Sequence, residues 1–254
     1  MALIKFTQVK TYLADIKSGS QLPQVFLVYG ENYIVRQICD RLNNALTDND
    51  SSSFSSEILE GGSISMGDVV EEITTLSLLS SKKIVTLRQA PLFPGADKTG
   101  DISFNTSEIA HLGDVIEKGL PENHYFIITT STADKRKKIY KTIESQGLCI
   151  DCTVAQGLRK ADQEEQNKVL LGLANQILGR SGKTIDRQAF GLLNEQTGFN
   201  LDMMRQNLEK IVAYAGSRNM IETSDVRAVV QRDRKDPIFS LTNALMAKDV
   251  EQAL

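Results

Sequence analysis

Hydrophobic residues in the first half of the chain follow two different spacings. Residues 25–29, VFLVY, form an unbroken apolar run, which is typical of a strand buried on both faces of a parallel sheet. After Gly30, the apolar residues Ile34, Ile38 and Leu42 recur every four positions, which is typical of an amphipathic helix. The pattern therefore predicts a strand, a glycine turn and a helix in direct succession.

The same two spacings repeat up to residue 152. Further apolar runs predict strands at 84–87, 125–130 and 148–152, and Phe54, Ile58 and Leu59 suggest a short strand at 54–59. Helical spacing separates these runs, at 6–16, 69–73, 107–118 and 134–143, and a long loop is expected at 91–104. Because strands alternate with helices, the sequence predicts an α/β domain with a parallel sheet flanked by helices.

The second half of the chain shows helical spacing only. Four helices are predicted around 169–178, 189–193, 203–214 and 226–230, and Ser224 with Asp225 is expected to cap the last one. A charged linker at 233–237 then precedes the start of another helix. We therefore predict an α/β domain at 1–153 and a small all-helical domain at 154–232, followed by a linker and another helix at 233–254.

The strand, turn and helix around Gly30 have the frame of a P-loop but not its residues. A P-loop needs G-x-x-x-x-G-K-[ST], because glycine N–H groups wrap the phosphates, Lys reaches them and a hydroxyl holds magnesium. The turn from Gly30 to Arg36 has no second glycine, no Lys, no Ser and no Thr, and Glu31 adds a carboxylate. We interpret it as a nucleotide-binding frame that no longer binds nucleotide. The hydroxyls at 129–132 then have no phosphate to sense and are interpreted as strand-end caps.

Three leucines are concentrated between the helix at 69–73 and the strand at 84–87. Leu76, Leu78 and Leu79 are flanked by Ser residues and by two lysines. One interpretation is that the leucines pack beneath the sheet. The other is that they form an exposed hydrophobic plug for a partner protein, with Lys82 and Lys83 as contacts at its rim.

Basic residues are concentrated after the strand at 125–130. Lys135, Arg136, Lys137 and Lys138 are expected on a helix, together with Lys141. A charge run of this kind is usually a solvated helix face. The alternative is that it contacts a phosphate backbone or an acidic partner surface.

Two further motifs imitate known sites. Cys149 and Cys152 form a C-x-x-C, but a structural zinc site needs four ligands, so chance spacing is the better interpretation. Residues 179–184, GRSGKT, end like a P-loop, but Ile177 stands where the first glycine is needed and the segment follows a helix. We expect it to be a helix C-cap and loop.

Composition limits the function classes. The formal net charge of −3 and the pI near 5.6 argue against a dedicated DNA-binding module. No apolar stretch approaches the ~20 residues of a membrane span, and the N-terminus lacks a signal-peptide pattern. Three cysteines fit a reducing compartment, and a cytoplasmic protein is expected.

Five segments, taken in order, resemble the delta subunit family of the bacterial DNA polymerase III clamp loader: VFLVYGENYIVRQ, LLSSKKIVTLRQ, ADKRKKIYKTIESQG, TGFNLDMMRQNLEKIVAYA and DPIFSLTNALMAKD. The resemblance extends from about Gln21 to the end of the chain. It implies an AAA+-like fold with a degenerate P-loop at 1–153, a helical lid at 154–232 and the start of a helical collar at 233–254. Since the family's collar continues further, the chain is expected to be truncated.

The same resemblance implies a function. A delta subunit hydrolyses no ATP and needs no cofactor or metal; it binds and opens the sliding clamp, the beta subunit, within the DNA polymerase III holoenzyme. The positions that match the family's clamp-binding residues are Leu76, Leu78 and Leu79, although the family pattern often ends in an aromatic residue where this chain has Leu79. The other implied partners are the ATPase gamma/tau and delta prime subunits and primer-template DNA, with no membrane.

Two other functions stay open on the residues alone. One is an AAA+-type ATPase with a divergent nucleotide loop, which tight ATP binding would mark. The other is a DNA-binding module that uses residues 135–141, which strongly salt-dependent DNA affinity would mark.

Overall fold

The structure is a computed structural model, which describes residues 3–16, 22–47, 54–76, 82–96, 100–157 and 159–230. The chain divides into two compact units, Met1–Val154 and Ala155–Leu254. No helix within the described ranges is both long and apolar enough to cross a membrane.

A six-stranded sheet organises the first unit. Its strands are β1 (Leu3–Lys5), β2 (Val25–Gly30), β3 (Phe54–Glu60), β4 (Lys82–Arg88), β5 (His124–Thr130) and β6 (Leu148–Cys152). All pairings are parallel, and the order is β1-β6-β2-β5-β4-β3. Strand β2 lies between β5 and β6, with Tyr29 opposite Thr130 and Gly30 opposite Cys152. The carboxyl end of β2 is therefore enclosed by neighbours on both sides.

Helices connect the strands. They are α1 (Val9–Ile16), α2 (Asn32–Thr47), α3 (Met66–Thr74), α4 (Thr106–Lys118) and α5 (Lys138–Gln146), and a 3-10 turn at Phe6–Gln8 precedes α1. Buried side chains of α3, α4 and α5 form one core with Val25, Leu27 and Tyr29 of β2. Phe26 and Val28 are equally buried and face the other side, because side chains alternate along a strand. The sheet is thus buried on both faces, and the predicted α/β class is confirmed.

The second unit is mainly helical. It contains α6 (Lys160–Arg180), α7 (Arg187–Thr197), α8 (Leu201–Ala215) and α9 (Thr223–Val229), with two short strands, β7 (Thr184–Ile185) and β8 (Met220–Ile221). The parallel β7–β8 pair departs from the all-helical prediction, because a two-residue strand leaves no apolar run in the sequence. Helix α9 also starts earlier than predicted. Glu222 is its N-cap residue, and the Asp225 carboxylate accepts a hydrogen bond from the Glu222 N–H at 2.9 Å.

The first unit has three features that the sequence analysis does not predict. Strand β1 was not predicted, since it has only three residues and Ile4 alone is buried among them. The loop at 91–104 contributes Leu92, Phe93 and Phe104 to the core. The basic run 135–137 precedes α5 instead of lying on it, because that helix begins at Lys138.

Candidate functional site

The turn where a P-loop would lie is closed by the chain itself. Only Glu31 separates β2 from α2, and its N–H donates to the Cys152 carbonyl at 3.1 Å. Gly30 has a φ of +125°, and a Cβ atom at this position would collide with the backbone of Cys152 and Thr153. The backbone that would wrap a phosphate is therefore packed against the end of β6.

The first turn of α2 is committed to packing as well. Tyr33, Ile34 and Val35 are all buried, and counted from Gly30 the Lys and hydroxyl positions of a P-loop fall on Arg36 and Gln37. The Tyr33 hydroxyl accepts a hydrogen bond from the Gln37 side chain at 2.7 Å. This arrangement agrees with the interpretation of the turn as a frame without nucleotide-binding residues.

Thr129, near the end of β5, binds the residues that follow β4. The Thr129 hydroxyl accepts a hydrogen bond from the Gln89 N–H at 3.0 Å, and the Thr129 carbonyl accepts one from the Ala90 N–H at 2.7 Å. Gln89 has a positive φ of 49°, which non-glycine residues seldom adopt. Thr129 therefore fixes the end of β4, as expected for a strand-end cap.

A second surface lies at the other end of the sheet, where α3 ends. Thr75 leaves the helix in an extended conformation, and Leu76 follows it. The Leu76 side chain is 66% exposed, more than any other large hydrophobic side chain in the described part of the chain. Leu78 and Leu79 fall at 77–81, outside the described residues. We call Thr75 and Leu76 the α3 end.

Side chains from two neighbouring strands hold the α3 end in place. His124 Nδ1 lies 3.2 Å from the Ile73 carbonyl, to which it donates. Lys83 Nζ donates to the Thr75 carbonyl at 3.2 Å and pairs with Glu72 at 2.5 Å. The last carbonyls of a helix have no partner within the helix, so these contacts satisfy two groups that would otherwise need water.

The two lysines beside the leucines are bound within the chain. Lys83 is only 5% exposed, so its ammonium supports α3 and does not lie at a rim. Lys82 Nζ donates to the Leu46 carbonyl at 2.6 Å and lies 5.9 Å from the centroid of the Tyr125 ring. Sequence reasoning missed these contacts, which span 8 positions from Lys83 to Thr75, 36 from Lys82 to Leu46 and 51 from His124 to Ile73. We call Lys83 and His124 the stem of the α3 end.

The basic run before α5 is exposed and partly neutralised. Arg136 pairs with Asp134 at 2.9 Å and, through this bond, lowers the pKa of Asp134 to about 2. Lys138 lies 3.4 Å from Asp114, and Lys135 lies 4.0 Å from Asp151. The pairs of Arg136 with Asp134 and of Lys138 with Asp114 are exposed and contribute little to stability. The Lys137 ammonium makes no hydrogen bond or ion pair with a residue that the structure describes.

Asp151 is a buried carboxylate beside the closed turn. Burial disfavours its ionised form, but the hydroxyl and N–H of Thr153 and the ammonium of Lys5 bind it and lower its pKa. The Lys5 ammonium lies 3.1 Å from the carboxylate. Asp151 thus joins β1 to the carboxyl end of β6.

Packing explains the two motifs that imitate known sites, the C-x-x-C on β6 and the segment 179–184. Cys149 and Cys152 are three residues apart on β6 and point to opposite faces, so they cannot hold one metal together. Burial raises the pKa of Cys149 to about 12. Lys183, in the segment 179–184, donates to the Gly216 and Arg218 carbonyls at 2.6 Å each, after the C-cap of α6 at Ser181. The predicted helix cap and loop are confirmed there. Within the described ranges, no group of three or more His, Cys, Asp or Glu side chains is placed to hold a metal ion.

Comparisons with known proteins agree on one family. A family model described as DNA polymerase III, delta subunit matches residues 26–153, half of the chain. The DNA polymerase III subunit delta of Bacillus subtilis is 20% identical over 242 residues, which cover 94% of this chain and 66% of that protein. A probable subunit delta of Aquifex aeolicus is 21% identical, with 91% of this chain and 62% of that protein covered. The chain therefore spans slightly less than two thirds of the length of these curated relatives.

Solved structures share the fold. The Bacillus subtilis DNA clamp loader delta protein, YqeN, superposes with a TM-score of 0.61 and 19% identity, covering 98% of this chain and 69% of that one. The Thermotoga maritima RuvB Holliday junction branch migration motor superposes with a TM-score of 0.54 and 11% identity, covering 95% of this chain and 76% of that one. These likenesses extend the fold agreement across both units. From the ordered sequence segments, the sheet and the matching family model, this chain belongs to the DNA polymerase III delta subunit family.

Proposed function

We propose that this chain acts as a clamp-loader delta subunit that binds the sliding clamp through the α3 end and opens it without hydrolysing ATP. The observation that carries the proposal is Leu76, an exposed leucine on a helix end that is anchored from behind. Family membership supports the assignment, since one relative is named as a DNA clamp loader delta protein. The closed turn at Gly30 supports the absence of ATP chemistry.

A single leucine is too small to hold a protein partner. Burying one leucine side chain contributes roughly 1.5–3 kcal/mol, whereas association costs at least about 4 kcal/mol. The adjoining leucines at 78 and 79 are therefore expected to enter the same pocket of the clamp as Leu76. Together the three would supply a hydrophobic anchor, and polar contacts around it would complete the interface.

The anchored stem makes the α3 end suited to this role. A preorganised surface loses less conformational entropy on binding than a free loop does. Lys83 and His124 fix the last carbonyls of α3, so Leu76 projects from a helix whose direction is already set. We infer that force or strain at the interface would pass into the sheet through β4 and β5.

Ring opening would follow from selective binding. A ligand shifts a conformational equilibrium only by the difference between its affinities for the two states. The proposal therefore requires the α3 end to fit the clamp better when the adjacent ring interface is open. The gamma/tau and delta prime subunits would supply ATP hydrolysis and assembly contacts, and primer-template DNA would enter the assembled complex.

The test is the release of a fluorescently labelled clamp from nicked circular DNA. The chain should accelerate release, because an open ring leaves the DNA, and a Leu78→Ala/Leu79→Ala double variant should lose most of this effect. Leu171→Ser is the matched control, since Leu171 is an exposed leucine on α6 that takes no part in the proposed contact. Normal release by a folded double variant, or loss of release with Leu171→Ser, would contradict the proposal.

A further inference from the structure

A surface cavity of about 510 Å³ lies away from the α3 end. The segment 91–94, the first half of α4 and the start of α5 line it. Its volume is within the range of ~300–1,000 Å³ that is typical of ligand pockets. Two features that the proposed function leaves unused, the loop at 91–104 and the basic run before α5, therefore meet at one place.

The inner wall of the cavity is apolar. It is formed mainly by Leu92, Phe93, Phe104, Ile109 and Ile139. Four of these five side chains also belong to the buried core of the first unit, so the wall is held in shape by the packing behind it. Such a wall suits a bulky apolar group that enters from solvent.

The mouth of the cavity is basic. Lys137 and Lys138 line it, and no described lining residue is acidic. The positive charge of Lys137 helps to lower the pKa of Asp134, but that carboxylate is already bound to Arg136. Lys138 is 70% exposed in its side chain and makes only a long contact of 3.4 Å with Asp114. The Lys137 ammonium is therefore available to an anionic partner, and the Lys138 ammonium could exchange its exposed contact with Asp114 for one.

We propose that this cavity binds a short acidic peptide segment of a partner protein. A bulky apolar side chain of the peptide would enter the cavity, and carboxylates beside it would pair with Lys137 and Lys138. Charge complementarity favours this occupant, because an apolar wall with a basic mouth matches an apolar residue flanked by acids. Single-stranded nucleic acid fits less well, since base stacking needs exposed ring faces and only small parts of Phe93 and Phe104 are accessible, 4% and 8% of each residue.

The test uses the 254-residue chain and a fluorescein-labelled peptide, Glu-Glu-Asp-Leu-Phe-Asp-Glu-Glu, followed by fluorescence anisotropy. Two comparison probes are the same peptide with Gly-Ser in place of Leu-Phe, and a labelled ten-residue oligothymidine. The first shows what charge alone contributes, and the second shows whether phosphates are preferred. Saturable binding of the Leu-Phe peptide is expected with a Kd below about 1 mM.

Two substitutions separate the apolar and basic parts of the site. Ala110 lines the cavity from α4 and is exposed, so Ala110→Leu would fill the cavity without disturbing the core. It should weaken peptide binding about tenfold, as loss of an anchor pocket does. Lys137→Glu should weaken it about fivefold through the mouth charge. Lys10→Glu on α1 makes the same charge change outside the cavity and should alter affinity less than about twofold.

The outcomes decide the proposal. Weakening by both cavity substitutions, with circular dichroism unchanged and Lys10→Glu close to the parent chain, supports it. Equal binding of the Gly-Ser peptide, unchanged binding by Ala110→Leu, or tighter and Lys137-dependent binding of oligothymidine overturns it. Dimerisation of the chain in sedimentation that Ala110→Leu abolishes would also overturn it, because the cavity would then be an interface between copies. Clamp release by Ala110→Leu is expected to stay normal. A failure of the peptide proposal can therefore be distinguished from a failure of the proposed clamp binding.

Discussion

The β2–α2 turn and the α3 end lie at opposite ends of one sheet and differ in whether their apolar side chains are buried. At the turn, Gly30 and the Glu31 N–H pack against the end of β6, and the first residues of α2 are buried. At the α3 end, the polar groups are satisfied by Lys83 and His124, yet Leu76 remains exposed. The residues of the turn pack within the first unit, whereas the α3 end leaves the Leu76 side chain exposed to solvent.

This difference between the two regions is the one that the proposed function requires. A nucleotide-binding frame keeps its turn open and polar so that phosphates can enter. Here that position is closed, whereas an exposed hydrophobic side chain stands on a supported helix end. Single exposed leucines are common on protein surfaces, so exposure alone means little. The support behind Leu76 is what distinguishes it, because the hydrogen bonds of Lys83 and His124 to the Thr75 and Ile73 carbonyls hold its backbone in one place.

The largest effect is expected from Gly30→Ala, which disturbs the closed turn. A Cβ at φ +125° is strained and would collide with the backbone of Cys152 and Thr153, so we expect a loss of about 3 kcal/mol or more in unfolding free energy. Urea denaturation measures it. Gly119→Ala is the control, since Gly119 also has a positive φ, of 86°, but has no heavy atom within 4 Å of the added Cβ. Equal costs at the two positions would show that the close approach at Gly30 is unimportant.

The support of the α3 end can be removed with Lys83→Met. The change leaves the Glu72 carboxylate and the Thr75 carbonyl without their shared donor, which we expect to cost about 2 kcal/mol in unfolding free energy. Clamp affinity should fall as well, because Leu76 would no longer project from a fixed backbone. Lys82→Met is the matched control and should preserve clamp affinity. Normal clamp binding by a Lys83→Met chain would show that the proposed contact of Leu76 does not depend on the support from Lys83.

A smaller effect is expected from pH at the carboxyl end of β6. The pKa of Asp151 is lower in the folded state than the ~3.9 of an unfolded aspartate. Its contribution to stability is therefore fully present above about pH 4 and is lost as pH falls through the folded pKa. Asp151→Asn should flatten this acid-side decline in urea denaturation series. An unchanged decline would mean that other carboxylates produce it.

Local patterns predicted most of the fold, and their limits have physical causes. Strands β2, β4, β5 and β6 appear as apolar runs because both faces of the sheet are covered. Strand β1 and the β7–β8 pair are too short to leave a pattern. The start of α5 was placed too early, since a basic run carries no signal that separates a turn from a helix.

The candidate site was predictable only in part. The missing P-loop residues and the clustered leucines are visible in the sequence, but the stem is not. His124 meets the Ile73 carbonyl across 51 positions of the chain, and Lys83 reads as a surface residue until β4 is placed beside α3. The cavity at Lys137 is equally hidden, because three separate segments build it.

The most direct test of the account is a titration of this chain with a labelled bacterial sliding clamp, in the presence and absence of Mg-ATP. The account predicts one affinity under both conditions and an approximately tenfold loss for Leu76→Ser, while Leu171→Ser binds normally. The opposite result, an affinity that depends on ATP and is untouched by Leu76→Ser, would show that the nucleotide frame is active and that the α3 end is not the clamp-binding surface.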